Sequence, residues 1–208
     1  MADKLSLYRE ALRHIGAERL ASLTEARPER VLLDDVWDST VRTVLTEGLW
    51  NFATRTVLLD YDEDIDVQLG FEYGFSKPTD CIRTTGMSEN GSFNDGLEDW
   101  KDENAYIYAN ITSIYLQYVS DDVNYGLNVG VWSEQFSRAV AAHLSYQIAL
   151  PVTSSENTRN TMWQMYKRLL KDAKALDASE DRVRRAPAGR LVKARFASRV
   201  SSSDRGMY

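Results

Sequence analysis

Residues 49–78, LWNFATRTVLLDYDEDIDVQLGFEYGFSKP, contain the change of period on which the fold turns. Before them, apolar residues recur at helical steps. From Thr54 to Tyr61 the residues become β-branched and aromatic, and Pro78 interrupts the run that follows, which marks short strands. On the N-terminal side, Pro28 opens PERVLLDDVWDSTVRTVLTEG, where Val31, Leu32, Val36, Val41, Val44 and Leu45 keep a helical step. Pro suits a first helical turn and Gly48 suits an end, so the spacing predicts a long helix. Before it, DKLSLYREALRHI spaces Leu5, Tyr8, Leu12 and Ile15 by three and four ahead of Gly16, the pattern of a shorter amphipathic helix.

On the C-terminal side strands continue through DCIRTT, NAYIYAN and SIYLQYV. Between the first two lies GMSENGSFNDGLEDW, whose Asn90-Gly91 and Asp95-Gly96 pairs predict a hairpin or a long exposed loop. The helical period returns in VWSEQFSRAVAAHLSYQIAL, with Trp132, Phe136, Val140, Leu144 and Ile148 four apart and Pro151 expected to close the helix. In the last helix a capping Ser precedes Met162, Tyr166, Leu169 or Leu170, Ala173 and Leu176. The short link at Pro151 implies that the last two helices are antiparallel.

The fold class expected is α+β: a helical bundle from the N- and C-terminal helices, an inserted antiparallel β lobe, and an extended C-terminal arm. The divisions fall at 1–53 (N-terminal helices), 54–129 (β lobe), 130–178 (C-terminal helices) and 179–208 (arm). A chain of 208 residues with an apolar share of 43% has enough for one real core. No internal repeat is visible.

Charge divides unevenly along this chain. Of 25 basic and 31 acidic residues, 8 and 1 fall in residues 182–208, leaving 17 and 30 before them, so the body stands near −13 and the tail near +7. The tail has too few apolar residues to make a core of its own and must gain order from a partner. Arg182, Arg184, Arg185, Arg190, Lys193, Arg195 and Arg199 can pair with acidic grooves, while Leu191, Val192, Phe196, Val200 and Tyr208 can anchor in apolar pockets. Two other readings stay open: a solvated tail without a specific partner, and a nucleic-acid-binding tail that tracks phosphates and stacks Phe196 and Tyr208 on bases. The acidic body opposes the last of these at low salt.

Motifs for chemistry are sparse. His14 and His143 stand singly on two amphipathic helices without a Cys pair or a second His at ligand spacing, so each is expected at the edge of the core rather than on zinc. Cys81 is the sole cysteine, which excludes an internal disulfide, fits a reducing compartment and reads as a small buried hydrophobe. Asp60, Asp62, Asp64 and Asp66 match the odd positions of a calcium loop, but Ile65 and Phe71 stand where that loop requires Gly and Glu, so a solvated turn is expected. No phosphate-binding Gly loop, nucleophile elbow or metalloprotease motif occurs. An enzyme is not expected, nor a cofactor or metal. The N-terminus lacks the apolar run of a signal peptide, and no run approaches membrane-spanning length.

The order of landmarks resembles the tail tubular protein A family of short-tailed bacteriophages, over roughly residues 4–178. A long helix runs into a family segment Gly-Trp-x-Phe, met here by Gly48, Trp50, Asn51 and Phe52 with Leu49 intervening. A strand entry Leu-Pro-x-Asp-x-Leu-Arg is met by Pro78, Asp80, Ile82 and Arg83, with Lys77 replacing the apolar first residue. Aromatic strands ending in IYLQYVSDD and two C-terminal helices complete the likeness. The resemblance implies a head-to-tail adaptor, a structural virion protein in the neck or tail that is assembled in the host cytoplasm. It implies a homo-oligomeric ring of about twelve copies between the portal and the tail nozzle or tail tube, enclosing a channel for genomic DNA. It further implies that the arm climbs along the portal. The loop holding Asn90, Phe93 and Trp100 is the expected contact with the tail component or a neighbouring subunit, and the aromatic strands are equally readable as lobe core, the reading periodicity favours.

Overall fold

A computed structural model describes residues 3–67, 70–93 and 96–180. Among the described residues, four α-helices and two small antiparallel sheets follow in the order α1 (Lys4–His14), α2 (Pro28–Glu47), β1 (Thr54–Asp60), β2 (Tyr73–Ser76), β3 (Cys81–Ser88), β4 (Trp100–Glu103), β5 (Tyr106–Ala109), β6 (Ser113–Ser120), α3 (Glu134–Thr153) and α4 (Glu156–Glu180). The chain is of the α+β class, as its periods imply. The arm residues named above, from Arg182 to Tyr208, lie outside the described residues.

Local chemistry starts each helix. Asp3 accepts from the Ser6 amide at 3.0 Å while Ser6 Oγ accepts from the Asp3 amide at 3.0 Å, a reciprocal cap on α1. Pro28 occupies the first turn of α2. Ser133 Oγ accepts from Phe136 N on α3, and Ser155 Oγ accepts from Thr158 N on α4, the capping serine the sequence predicts. α3 packs along α4 and also meets α1 and α2. Of its expected stripe, Phe136, Val140, Leu144 and Ile148 lie on α3 and are buried, while Trp132, also buried, precedes the helix, which starts only after the Ser133 cap.

Other expectations shift. Pro151 does not close α3, which runs on to Thr153 and stops at Ser154 in the left-handed region (φ 52°). A proline in the last turn forfeits only its own amide bond to the preceding turn, and the helix ends where the backbone changes hand. The core face of α2 is carried by Leu33, Thr40, Val41, Val44 and Leu45, and Val31 is exposed. On α1 the buried set is Leu7, Tyr8, Ala11 and Leu12, with Leu5 and Ile15 only partly covered.

The strands make two sheets of three, ordered β1-β6-β3 and β2-β5-β4. β6 pairs from Thr54↔Val119 to Asp60↔Ser113 with β1, and on its other edge with β3, whose register shifts twice between Cys81 and Gly86. The predicted loop 86–100 is shorter than expected. Gly86 to Ser88 continue β3 and Trp100 opens β4, while Asn94 and Asp95 lie outside the described residues. Asn104, expected in a strand, instead turns the β4–β5 hairpin at φ 54°, a conformation Asn tolerates.

The apolar residues gather in two clusters. One joins the helices and includes Trp50, Ala53 and Val119; the other lies in the sheets and holds Phe75, Met87, Ile107, Ala109, Ile114, Leu116 and Tyr118. The aromatic strands are therefore lobe core in part, with Ile107, Tyr108 and Ala109 buried. β6 serves both clusters, since neighbouring residues of a strand point to opposite faces.

Candidate functional site

Gly48 to Phe52 and Pro78 to Arg83 meet at the seam between helices and sheets. α2 ends at Gly48, and Trp50 folds back beneath it, fully buried, with Nε1 donating to Val44 O at 3.0 Å. A Cβ on Gly48 would stand 2.6 Å from the Trp50 ring, so the close approach of ring and backbone requires glycine. The ring meets Phe136 edge-on at 4.8 Å between centroids, and Phe52 meets the same phenylalanine edge-on at 4.8 Å. Asn51 binds the far end of α4: its amide donates to the Asp177 carboxylate at 3.2 Å and its Nδ2 to Asp177 O at 3.1 Å.

Pro78 and Asp80 sit at the entry to β3. The Asp80 carboxylate accepts from Ser120 Oγ at 2.5 Å, Arg55 at 3.0 Å and Tyr118 OH at 3.2 Å. Burial opposes its ionisation, but donation from Ser120, Arg55 and Tyr118 outweighs burial and holds the carboxyl below the usual aspartate range. Burial first, and then the Asp80 charge, push the Tyr118 phenol above its ordinary value. Arg42 on α2 pairs with Asp121 at 3.0 Å, and Arg83 donates to Thr46 O at 2.9 Å. Charged and neutral bonds thus tie the first sheet to α2. The sequence points to Asp80 and Trp50 but not to Arg55, Arg42, Asp121 or Asp177, whose partners stand 25 to 126 residues away.

Of the loop residues, Phe93 and Trp100 line one groove of about 300 Å³ with Met87 and Leu97. Asn90 is not part of it; its Oδ1 accepts from Ser88 Oγ and the Ser92 amide and shapes the turn. Among the described residues, its lining joins the apolar Met87, Phe93, Leu97 and Trp100 to the polar Thr85 and Gln117.

His14 Nδ1 lies 3.2 Å from Ser145 Oγ with Glu10 at 3.7 Å from Nε2, a serine–histidine–carboxylate string. Ser145 is fully buried and its hydroxyl is within 2.7 Å of Ala141 O and 3.1 Å of Ala11 O, so no substrate reaches it. His143 lies deeper than expected, buried between α3 and α4. Cys81 is half-buried, and burial raises its thiol above the ordinary value. A cavity of about 580 Å³ beside α1, lined by Arg9, Arg13 and Arg19, stands apart from the seam. Among the described residues, no group of three or more His, Cys, Asp or Glu could hold a metal ion, and no helix is long and apolar enough to cross a membrane.

No protein-family model matches the chain, and no curated protein matches it.

Proposed function

We propose that the protein is a structural adaptor of a tailed bacteriophage virion. About twelve copies form a ring between portal and tail, enclose a channel for DNA, and secure the upper joint with residues 182–208. In this reading the four helices are one bundle framing the inserted β lobe, and the groove at Phe93 and Trp100 faces a tail component or a neighbouring subunit. The role is mechanical: closing the filled head, offering a docking surface and passing DNA outward at infection.

One observation carries the reading. The two motif stretches that resemble the adaptor family, Gly48 to Phe52 and Pro78 to Arg83, are separate in sequence yet both build the seam between helices and sheets. The charge division supports it. A body near −13 suits a conduit along which DNA slides without sticking, and a tail near +7 suits an acidic groove on a partner.

The test is the mass of the full-length chain and of a form ending at Asp181, each alone and mixed with the candidate portal ring. The adaptor reading expects the full-length chain to join the portal as a ring and the short form to fail. The excess of basic residues in the tail favours a second reading, an accessory protein that binds nucleic acid. Salt-dependent DNA binding lost on removing residues 182–208, with no portal binding by either form, would replace the first reading with the second.

A further inference from the structure

Helix α4 turns Met162, Tyr166, Leu170 and Ala173 inward. Its outer side bears Lys167, Arg168 and Lys171, all exposed. The ion pairs of α4 among the described residues are Arg159–Glu156 and Lys174–Glu47, and these three cations take part in none. Arg159, Trp163, Lys167 and Lys171 stand four apart and form one ridge along the helix. Trp163 is partly exposed on that ridge, with Lys167 Nζ 4.9 Å from its ring centroid and Tyr146 at 5.0 Å. Cations beside a half-exposed tryptophan are the chemistry of an interface anchor.

The same chain carries the complement. Residues 54–129 hold 15 acids against 4 bases, and three of those bases, Arg55, Lys77 and Lys101, are paired within the lobe to Asp80, Asp102 and Glu103. The surplus gathers at the second sheet. Asp62 is joined to β2 through Gly74 and Ser76, and Asn110 connects the Glu72 amide with the Asp99 carboxylate. Glu63, Asp64, Glu72 and Asp99 are exposed there, and none has an ion pair among the described residues.

We infer that the basic ridge of α4 docks on the acidic second sheet of another copy of this chain. The inference rests on the ring reading above and names the surfaces through which copies meet. Two different patches meet, so the contact is head to tail, and each copy keeps one of each to continue the assembly. A nucleic acid is the weaker occupant, because the lobe repels the polyanion that the ridge attracts, whereas a second copy satisfies both.

The test uses the full-length chain, with association followed by sedimentation at low and high ionic strength. A ridge variant, Lys167→Glu, Arg168→Glu and Lys171→Glu, is set beside a sheet variant, Glu63→Lys, Asp64→Lys and Glu72→Lys. Each variant alone is expected to self-associate at least about tenfold more weakly than wild type, with the difference shrinking in high salt. Mixing the two is expected to restore pairing between reversed ridge and reversed sheet, which also shows that both fold. Unchanged self-association of the ridge variant, a wild type that stays monomeric at low salt, or a mixture that stays apart overturns the inference. So does a ridge variant that loses binding to a short DNA duplex while its self-association stands, which assigns the ridge to nucleic acid. Portal binding separates the two readings. A ridge variant that still forms a ring on the portal sinks the ridge and leaves the adaptor, and salt-sensitive rings that ignore the portal sink the adaptor and leave the ridge.

Discussion

Gly48 follows α2 with φ −134°, an extended conformation open to any residue, so what the position needs is small size. Gly48→Ala sets a methyl against the Trp50 ring at 2.6 Å and is expected to destabilise the fold by about 1–3 kcal/mol, seen as a lower urea midpoint with the slope unchanged. His143 makes a different kind of test. Burial holds its imidazole down to about 4, against a pull upward from Glu47, and its Nδ1 has no hydrogen-bond partner among the described residues. The unfolded chain therefore takes up a proton near 6.5 that the folded chain refuses, and stability falls as pH drops from 6.5 toward 4. The slope approaches about 1.4 kcal/mol per pH unit for one such group, and His14, also held down by burial, adds to it. Urea titrations between pH 6.5 and 5 are expected to show this fall, and His143→Leu is expected to flatten it to the share left by His14. A wild-type profile without slope in that window would remove burial as the governing environment of both imidazoles. Trp50, Phe52 and Asp80 were legible in the sequence as landmarks, but their partners were not, because a hydrogen bond across 126 residues leaves no local pattern.

At the scale of elements, the caps and periods of the four helices were readable, and their faces only partly. Val31 fits a helical step, yet α2 turns Leu33 inward, because the face that is buried depends on where α3 lies. The α3–α4 link offers a clean test of local backbone. Ser154 adopts φ 52°, ψ 24° and donates its amide to Leu150 O at 2.9 Å, a helix end that glycine fills without strain. Ser154→Gly is expected to raise stability by about 1 kcal/mol, and Ser155→Ala, which removes the cap on Thr158 N, to lower it by a similar amount. Denaturant midpoints of the two variants against wild type check both signs. A Ser154→Gly variant less stable than wild type together with a Ser155→Ala variant no less stable would show that the link is held by its packing and not by its caps. The strands were legible as a region, but their division into two sheets was not. β2 and β4 are only four residues each, too short for a period to declare itself.

For the whole molecule, the acidic excess of residues 54–129 sets a long-range field that added salt should relieve. Raising ionic strength from about 0.01 to about 0.15 M shortens the screening length from about 30 to about 8 Å. A form ending at Asp181, with a charge near −13, is expected to melt at a higher temperature in the saltier buffer, and by a wider margin than the full chain, whose tail offsets part of the charge. Equal shifts in the two forms would place the repulsion at short range, within the lobe. By itself the sequence determined the α+β class, the helix starts and the segregation of charge, since periodicity, capping and composition are properties of neighbouring residues. Only the tertiary structure decided that Trp50 lies under Gly48, that Asp80 collects Arg55, Tyr118 and Ser120, that Phe93 and Trp100 share a groove, and that Lys167, Arg168 and Lys171 lie on the exposed side of α4. Those contacts join residues far apart in the chain, and they exist only once both clusters have buried their apolar surface and fixed the faces that remain.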